Sequence, residues 1–172
     1  MNRLSMIALT ISSALLFGFV LNTGDARAQQ KSLKEQVTGT WILVSNDIIG
    51  ANGTRRQNFG PNPKGILILD ASGRYAEIQV NPNRPKFKGN TRLDGTPDEN
   101  TAVVRTSAFH FGTWSVNEGD KSLTVHQEVN IFPNADGVDN KRSITLTGDE
   151  LKMSNPMASS GVPVQSLWRR AK

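Results

Sequence analysis

Two histidines and one nearby carboxylate are the side chains of this sequence with the most evident capacity for chemistry. His126 and Glu128 are two residues apart in LTVHQEVNI, and His110 lies in SAFHFGTWSV, across a predicted turn. Two imidazoles and a carboxylate can hold zinc, and a His–Glu pair can exchange protons with a substrate. Whether His110 reaches the other two depends on the hairpin register, because a slip of one residue turns each side chain to the opposite face.

The turn NEGDK permits two registers. One places His110 opposite Glu128, and the other turns it away from His126. Residue types without a known register identify a metal site only weakly. We therefore interpret both histidines as ordinary strand residues and predict no metal site and no catalytic residue.

Four large or polar side chains lie on predicted strands that should surround one interior. A buried arginine or histidine needs a partner, either within the protein or on a ligand. Glu77, Glu128 or a ligand carboxylate could serve, and pairing within the protein is the commoner arrangement. The predicted ligand-binding residues are Tyr75, Trp114, His126 and Arg142.

Eight β-rich runs, separated by turns rich in Gly, Asn and Asp, should position these side chains. They are residues 38–49, 65–69, 74–80, 107–116, 122–132, 141–147, 151–154 and 163–171. This pattern predicts an all-β fold, an eight-stranded antiparallel up-and-down barrel, a size that can hold one small ligand. In 122–132, alternation predicts Leu123, Val125, Val129 and Ile131 on the core face.

One long segment, residues 81–106, interrupts the strands. Its first part, NPNRPKFKGNTRLDG, is rich in Pro, Gly and basic residues and is predicted to be loop. Thr96, Pro97 and Glu99 then form a helix-start signature, with a capping box and a proline at the first helical position. The sequence therefore predicts a short helix near 97–106, between the third and fourth strands.

The first residues have the three-part layout of a secretory signal peptide. A short basic start precedes a long apolar run, and Ala26-Arg27-Ala28 is a small-x-small cleavage site. No basic stop-transfer cluster follows, so we expect no stable membrane insertion after cleavage. The predicted organisation is a signal peptide, 1–28, cleaved after Ala28, and one exported domain, 29–172, in the periplasm or the medium.

Composition excludes several classes of protein. The chain has no cysteine, which excludes disulfides, thiol nucleophiles and thiolate metal sites. Its formal net charge is +5, but basic and acidic residues are interspersed, and only the loop at 84–92 is densely basic. A nucleic-acid partner is therefore not predicted. Phosphate-binding and dinucleotide-binding loops are absent, so no cofactor is predicted.

The tripeptide Gly-Thr-Trp occurs at 39–41 and again at 112–114. With PKGILILDASGRYAEI, TPDENTAVVRTSAFHFGTWSV and the terminal LWRR, the first copy makes residues 36–170 resemble the lipocalin-like domain family of bacteria and fungi. The resemblance implies a barrel with a hollow, and no general activity. It also implies that Gly39 and Trp41 open the first strand and that Trp41 closes one barrel end against Arg170, or against Arg169 if the last strand contains a bulge.

These observations favour a barrel that binds a small, largely hydrophobic molecule. An alternative is an isomerase or cyclase acting on a hydrophobic substrate in the same cavity, with His126 and Glu128 as the acid–base pair. A third is a protein-binding or inhibitory barrel with a filled core that recognises partners through residues 81–95. The sequence does not decide the oligomeric state.

Overall fold

The computed structural model describes residues 31–172, and the predicted signal peptide lies outside this range. The described residues form one antiparallel sheet of nine strands that closes on itself, because the first strand pairs with both the third and the last. The strands are β1 Gly39–Ile49, β2 Arg55–Gln57, β3 Lys64–Leu69, β4 Arg74–Val80, β5 Ser107–Asn117, β6 Ser122–Asn130, β7 Val138–Thr147, β8 Glu150–Asn155 and β9 Val164–Arg170.

Eight of these strands make the barrel, and each is hydrogen-bonded to its neighbours in chain order. The predicted eight-stranded up-and-down barrel is therefore confirmed. The ninth strand, β2, was not predicted; its three residues pair with the end of β1 through Asp47, Ile48 and Ile49. All three β2 residues are exposed, so the segment lacks the alternation that marks a half-buried strand.

Two short α-helices accompany the barrel: α1, Leu33–Val37, and α2, Pro97–Arg105. In α2 the Thr96 hydroxyl accepts a hydrogen bond from the Glu99 amide, and the Glu99 carboxylate accepts one from the Thr96 amide. The predicted helix and its capping box are thus confirmed. Within residues 31–172 no helix has the length and apolar character needed to cross a membrane.

The end of the barrel next to α1 is filled by apolar side chains, and we call it the floor. Trp41 and Trp168 are fully buried there, together with Leu67, Leu69 and Leu151. The Trp41 indole N–H donates to the carbonyl of Val37 in α1. The chain has no cysteine, so the burial of apolar area at this end stabilises the fold without help from a disulfide.

The contact expected between Trp41 and Arg170 is present at the floor. The two residues are opposite each other where β1 meets β9, and the guanidinium carbon lies 4.2 Å from the centre of the indole ring. Arg170 also donates to the carbonyls of Gln36 and Thr38, at 2.6 and 3.1 Å. A Cβ at Gly39 would lie 3.1 Å from Arg170 Nη1, so the absence of a side chain at this position makes room for the guanidinium.

Two β-bulges lie about halfway up the barrel. In β1 the pairing with β9 shifts between Leu43 and Ser45, and in β6 the pairing with β5 shifts at Glu128. An extra residue in one strand reverses the alternation beyond it. Asn46 and Asn130 therefore point inward, where uninterrupted alternation from the floor would place their neighbours. On the floor side of the bulges the buried side chains are mainly apolar, and on the other side they are mainly polar.

Candidate functional site

The end of the barrel opposite the floor contains a cavity of about 490 Å³, within the range of sites for small organic ligands. Four connections surround its mouth: residues 50–63, 81–106, 131–137 and 156–163. Apolar side chains from these connections line the mouth, among them Phe59, Val104, Phe132 and Met157. These side chains offer apolar contact area at the entrance to the cavity.

Below the mouth, the walls of the cavity are polar. The buried polar and charged residues that line it are Asn46, Glu77, Gln79, His110, Gln127, Asn130, Arg142 and Ser166. The floor is thus apolar and filled, whereas these polar side chains face the hollow half together with apolar ones such as Ala108 and Met153. Polar groups withdrawn from bulk water need hydrogen-bond partners. The hydrogen bonds among these residues therefore determine which donors and acceptors remain for a ligand.

A buried ion pair crosses the base of the cavity. Glu77 in β4 and Arg142 in β7 meet at 2.5 Å between Oε2 and Nη1, and their side chains are 3% and 7% exposed. Arg142 Nε donates to Asn140 Oδ1 at 2.9 Å. Each charge therefore has an opposite charge and at least one further hydrogen bond, the condition under which a buried ion pair is tolerated.

His110 in β5 lies beside this pair. Its Nε2 is 3.4 Å from Arg142 Nη2 and 3.7 Å from a Glu77 oxygen, and its Nδ1 is 2.9 Å from the Tyr75 hydroxyl. A guanidinium can only donate, so a neutral imidazole meets it with an unprotonated Nε2 and carries its proton on Nδ1. The ring is then held between a donor and a hydroxyl that can accept.

Burial and charge set the protonation of these groups. Burial lowers the pKa of His110 to about 4, opposed by the Glu77 carboxylate and reinforced by the Arg142 guanidinium. Burial alone would raise the pKa of the Glu77 carboxyl, but Arg142 and the Gln79 amide hold that pKa below its ordinary value. Burial raises the pKa of the Tyr75 hydroxyl. At neutral pH the base of the cavity thus contains a carboxylate, a guanidinium and a neutral imidazole.

The ion pair continues into a chain of amides. Gln79 Nε2 donates to Glu77 Oε1 at 2.5 Å, and Asn46 Nδ2 donates to Gln79 Oε1 at 2.7 Å. A carboxylate can only accept, so Gln79 must present its NH₂ to Glu77 and its oxygen to Asn46. This order leaves Asn46 Oδ1 buried and without a hydrogen-bond partner among the described residues.

Two of the four predicted ligand-binding residues are at or next to the cavity. Arg142 lines it directly. Tyr75 is 4% exposed and lies one layer below, in the apolar core, with its hydroxyl against His110. Glu77, one of the predicted partners of Arg142, is the partner that the structure shows.

The other two residues are elsewhere, and these predictions are corrected. Trp114 is buried in the core at the floor, and its indole N–H donates to the carbonyl of Asp70 in the β3–β4 turn. His126 points outward, with 47% of its side chain exposed, and bonds to Asp139 on the outer face. Facing outward, it cannot contact a ligand inside the barrel.

The zinc set that was considered and not predicted, His110 with His126 and Glu128, does not come together inside the barrel, and the alternative acid–base pair lies outside it. Near the turn the register is the one that separates His110 from His126, and the bulge then turns Val129 outward and Asn130 inward. The prediction that Val129 faces the core is therefore wrong. Glu128 is outside the barrel too, where it forms an ion pair with Arg74. Among residues 31–172 no cluster of three metal-ligating side chains is present.

Several cavity residues were not among the predicted ligand-binding residues, although the strand pattern contained a signal for some of them. Glu77 and Gln79 are two and four residues after Tyr75 in β4, and all three side chains point inward. His110 is four residues before Trp114 in β5 and shares its face. Extending the alternation from each buried aromatic finds these three polar residues.

The chain matches the lipocalin-like domain family over residues 38–171. It is similar to the crystal structure of a lipocalin-like protein from Bacteroides uniformis, with 15% identity over 78% of this chain and 97% of that one and a TM-score of 0.42. Another similar structure is a mutant of the fluorescent protein UnaG, with 14% identity over 80% and 98% of the two chains and a TM-score of 0.38.

A further similar structure is secretory abundant heat soluble protein 4 from Ramazzottius varieornatus. The identity is 15% over 83% of this chain and 99% of that one, with a TM-score of 0.38. No curated protein matches the chain.

Proposed function

Because the chain belongs to the lipocalin-like domain family, we propose that it binds a small amphipathic molecule in the cavity at the open end of its barrel. The observation that carries this proposal is the division of the interior. The floor is filled by apolar side chains, whereas the upper half leaves a cavity of about 490 Å³ with polar walls and an apolar mouth. An interior meant only for stability would be filled throughout, since voids cost packing energy.

The walls orient the ligand. Its polar end lies deep, near Arg142 and the amides of Asn46 and Gln79, and its apolar part lies at the mouth against Phe59 and Phe132. Apolar burial at the mouth supplies affinity, and the polar groups fix orientation. The hydrophobic ligand predicted from sequence is thus proposed here as a ligand with an apolar part and a polar end.

Displacement of a neutral fluorescent probe, N-phenyl-1-naphthylamine, tests binding in the cavity. Ala108 lines the cavity in β5, and Phe109 is next to it and exposed on the outer face. We expect Ala108→Trp, which fills the cavity, to weaken probe binding by about tenfold or more. Phe109→Trp, which puts the same tryptophan side chain on the outer face instead, should leave probe affinity within about twofold. Equal affinities in the two variants would overturn the proposal.

Native mass spectrometry of the protein purified from its own host identifies the natural ligand. A retained adduct that is lost in Ala108→Trp and kept in Phe109→Trp is the expected result. Persistent absence of an adduct from the unsubstituted protein, together with no probe binding, would count against a role in small-molecule binding.

We further propose that the protein acts outside the cytoplasm, after removal of residues 1–28. The amino-terminal layout supports this proposal. Intact mass of the protein recovered from periplasm and medium should correspond to a chain that begins at Gln29. A full-length chain confined to the cytoplasmic fraction would contradict export.

A further inference from the structure

The ion pair between Glu77 and Arg142 decides which charge the cavity accepts. Of the described residues that line the cavity, only Glu77, Arg105 and Arg142 carry a charge at neutral pH. Arg105 lies at the carboxyl end of α2 and is exposed at the mouth. In the deep part the carboxylate and the guanidinium balance each other, so the net charge there is zero.

Arg142 is already engaged. Its Nη1 donates to Glu77, its Nε donates to Asn140, and its Nη2 faces His110. A ligand carboxylate placed here would have to compete with Glu77 for the same cation. It would also bring a second negative charge beside a buried carboxylate, where charge repulsion is weakly screened. Anions are therefore penalised at this position.

The unpaired atom at the base of the cavity is an acceptor. Asn46 Oδ1 has no partner among the described residues, and Asn46 is 4% exposed while lining the cavity. The chain from Glu77 through Gln79 prevents the amide from turning round, because a reversed Asn46 would set its oxygen against Gln79 Oε1. An O–H or N–H group is the partner that this acceptor requires.

We propose that the ligand of this cavity enters with an uncharged polar end that carries a hydrogen-bond donor, such as an alcohol or an amide, and that Asn46 Oδ1 accepts that donor. Glu77 is the residue that determines this preference, because it neutralises Arg142 and fixes the direction of the amide chain. This inference rests on the proposed function, since it assigns the chemical class of the ligand bound in the same cavity.

The test compares three probes of equal chain length at pH 8: decanol, decanamide and decanoate. Each displaces N-phenyl-1-naphthylamine, and the concentrations for half-displacement are compared. We expect decanol and decanamide to displace at concentrations at least about tenfold lower than decanoate. The series is repeated in Arg105→Gln, so that a carboxylate held at the mouth is not counted as one held beside Glu77.

Two variants change the net charge at the base of the cavity. Glu77→Gln keeps the size of the side chain and leaves Arg142 without its counter-charge, so decanoate should gain about tenfold relative to decanol. The double variant Glu77→Gln with Arg142→Met is uncharged at this position and should restore the preference for decanol. Glu150→Gln, which removes the exposed pair with Arg169 on the outer surface, is the matched control and should leave the order of the probes unchanged.

The outcomes separate the inference from the proposed function. If none of the three probes displaces the fluorescent probe from the folded, unsubstituted protein, the proposed function fails. If all bind and decanoate is tightest before any substitution, binding stands and the inference is overturned. An unchanged order in Glu77→Gln also overturns it. If Glu77→Gln does not fold, the unsubstituted protein and the double variant still test the inference, because both must bind decanol more tightly than decanoate.

Discussion

The Tyr75 hydroxyl lies 2.9 Å from Nδ1 of His110, and this contact joins the two halves of the barrel interior. Tyr75 packs in the apolar core, whereas His110 lines the cavity beside Glu77 and Arg142. The rings are tilted by 54° with their centres 5.5 Å apart. The imidazole is therefore held by the core at one nitrogen and by the polar cluster at the other, and it is neutral at physiological pH.

A neutral, buried His110 makes stability depend on pH. Its folded-state pKa, about 4, is below its ordinary value of 6.5. As pH falls from 6.5 toward 4, the unfolded chain takes up a proton that the folded chain does not, so the folded state loses stability. At pH 4.5 this loss should be about 2–3 kcal/mol relative to pH 7. Urea unfolding at the two pH values measures it.

His110→Gln isolates this contribution, because glutamine does not titrate. Because the folded state also lowers the pKa of Glu77, stability falls further below about pH 4.5. This second effect is present in the unsubstituted protein and in the variant. The loss between pH 7 and 4.5 should be smaller in the variant by about 2 kcal/mol. An identical loss in both proteins would mean that the His110 side chain is accessible to solvent and has its ordinary pKa.

Arg170 should stabilise the floor more than its neighbour Arg169. Arg170 covers Trp41 and donates to two backbone carbonyls, whereas Arg169 makes an exposed pair with Glu150. We expect Arg170→Ala to lower the free energy of unfolding by about 2 kcal/mol or more, and Arg169→Ala by less than about 0.5 kcal/mol. Chemical unfolding of both variants measures the difference.

Arg170→Lys sharpens this prediction. Lysine keeps the charge but lacks the planar fork that reaches both carbonyls, so it should recover less than half of the loss. Probe affinity should be unchanged in each folded variant, because Arg170 is at the opposite end of the barrel from the cavity. Full recovery by lysine would assign the effect to charge alone.

Gly112 should tolerate no side chain. A Cβ there would lie 2.0 Å from the carbonyl oxygen of His126 and 2.9 Å from the amide of Glu128, at the bulge that pairs β5 with β6. We expect Gly112→Ala to cost on the order of 3 kcal/mol or more, because backbone must move. Thr113→Ala, one residue along, should cost under about 1 kcal/mol. Equal thermal midpoints in the two variants would show that the strands separate easily here.

His126→Ala should change little. The side chain is about half exposed, and its partner Asp139 is more exposed still. A surface pair of this kind contributes less than about 1 kcal/mol, and probe affinity should remain within about twofold. A marked loss of affinity, measured by the same probe titration, would return His126 to the binding site.

The barrel itself could be predicted from sequence because turn residues and strand alternation are local signals. Thr96, Pro97 and Glu99 determined the start of α2 in the same way, since a capping box is decided within four residues. The contact between Trp41 and Arg170 at the floor could also be predicted, because both residues lie in segments that resemble the family, one at each end of the domain.

The cavity was harder to predict because two bulges reverse the alternation. Without the shift in β1, Ser45 and not Asn46 would face inward, and without the shift in β6, Val129 would replace Asn130. A bulge depends on the pairing of two distant strands, so a single strand does not reveal it. His126 was misplaced for a different reason: its polarity was taken as a sign of the interior, although its alternation with Leu123 and Val125 places it on the outer face.

The division of the barrel into a filled floor and a hollow upper half also bears on how such a protein can diversify. Residues such as Trp41, Trp168 and Leu151 maintain the fold at one end, while Asn46, Glu77 and their neighbours line the cavity at the other. Substitutions in the upper half leave the floor intact, and substitutions at distant sites tend to be additive in their effects on stability. A lineage of such barrels can therefore exchange its pocket residues, and with them its ligand, without first acquiring a new fold.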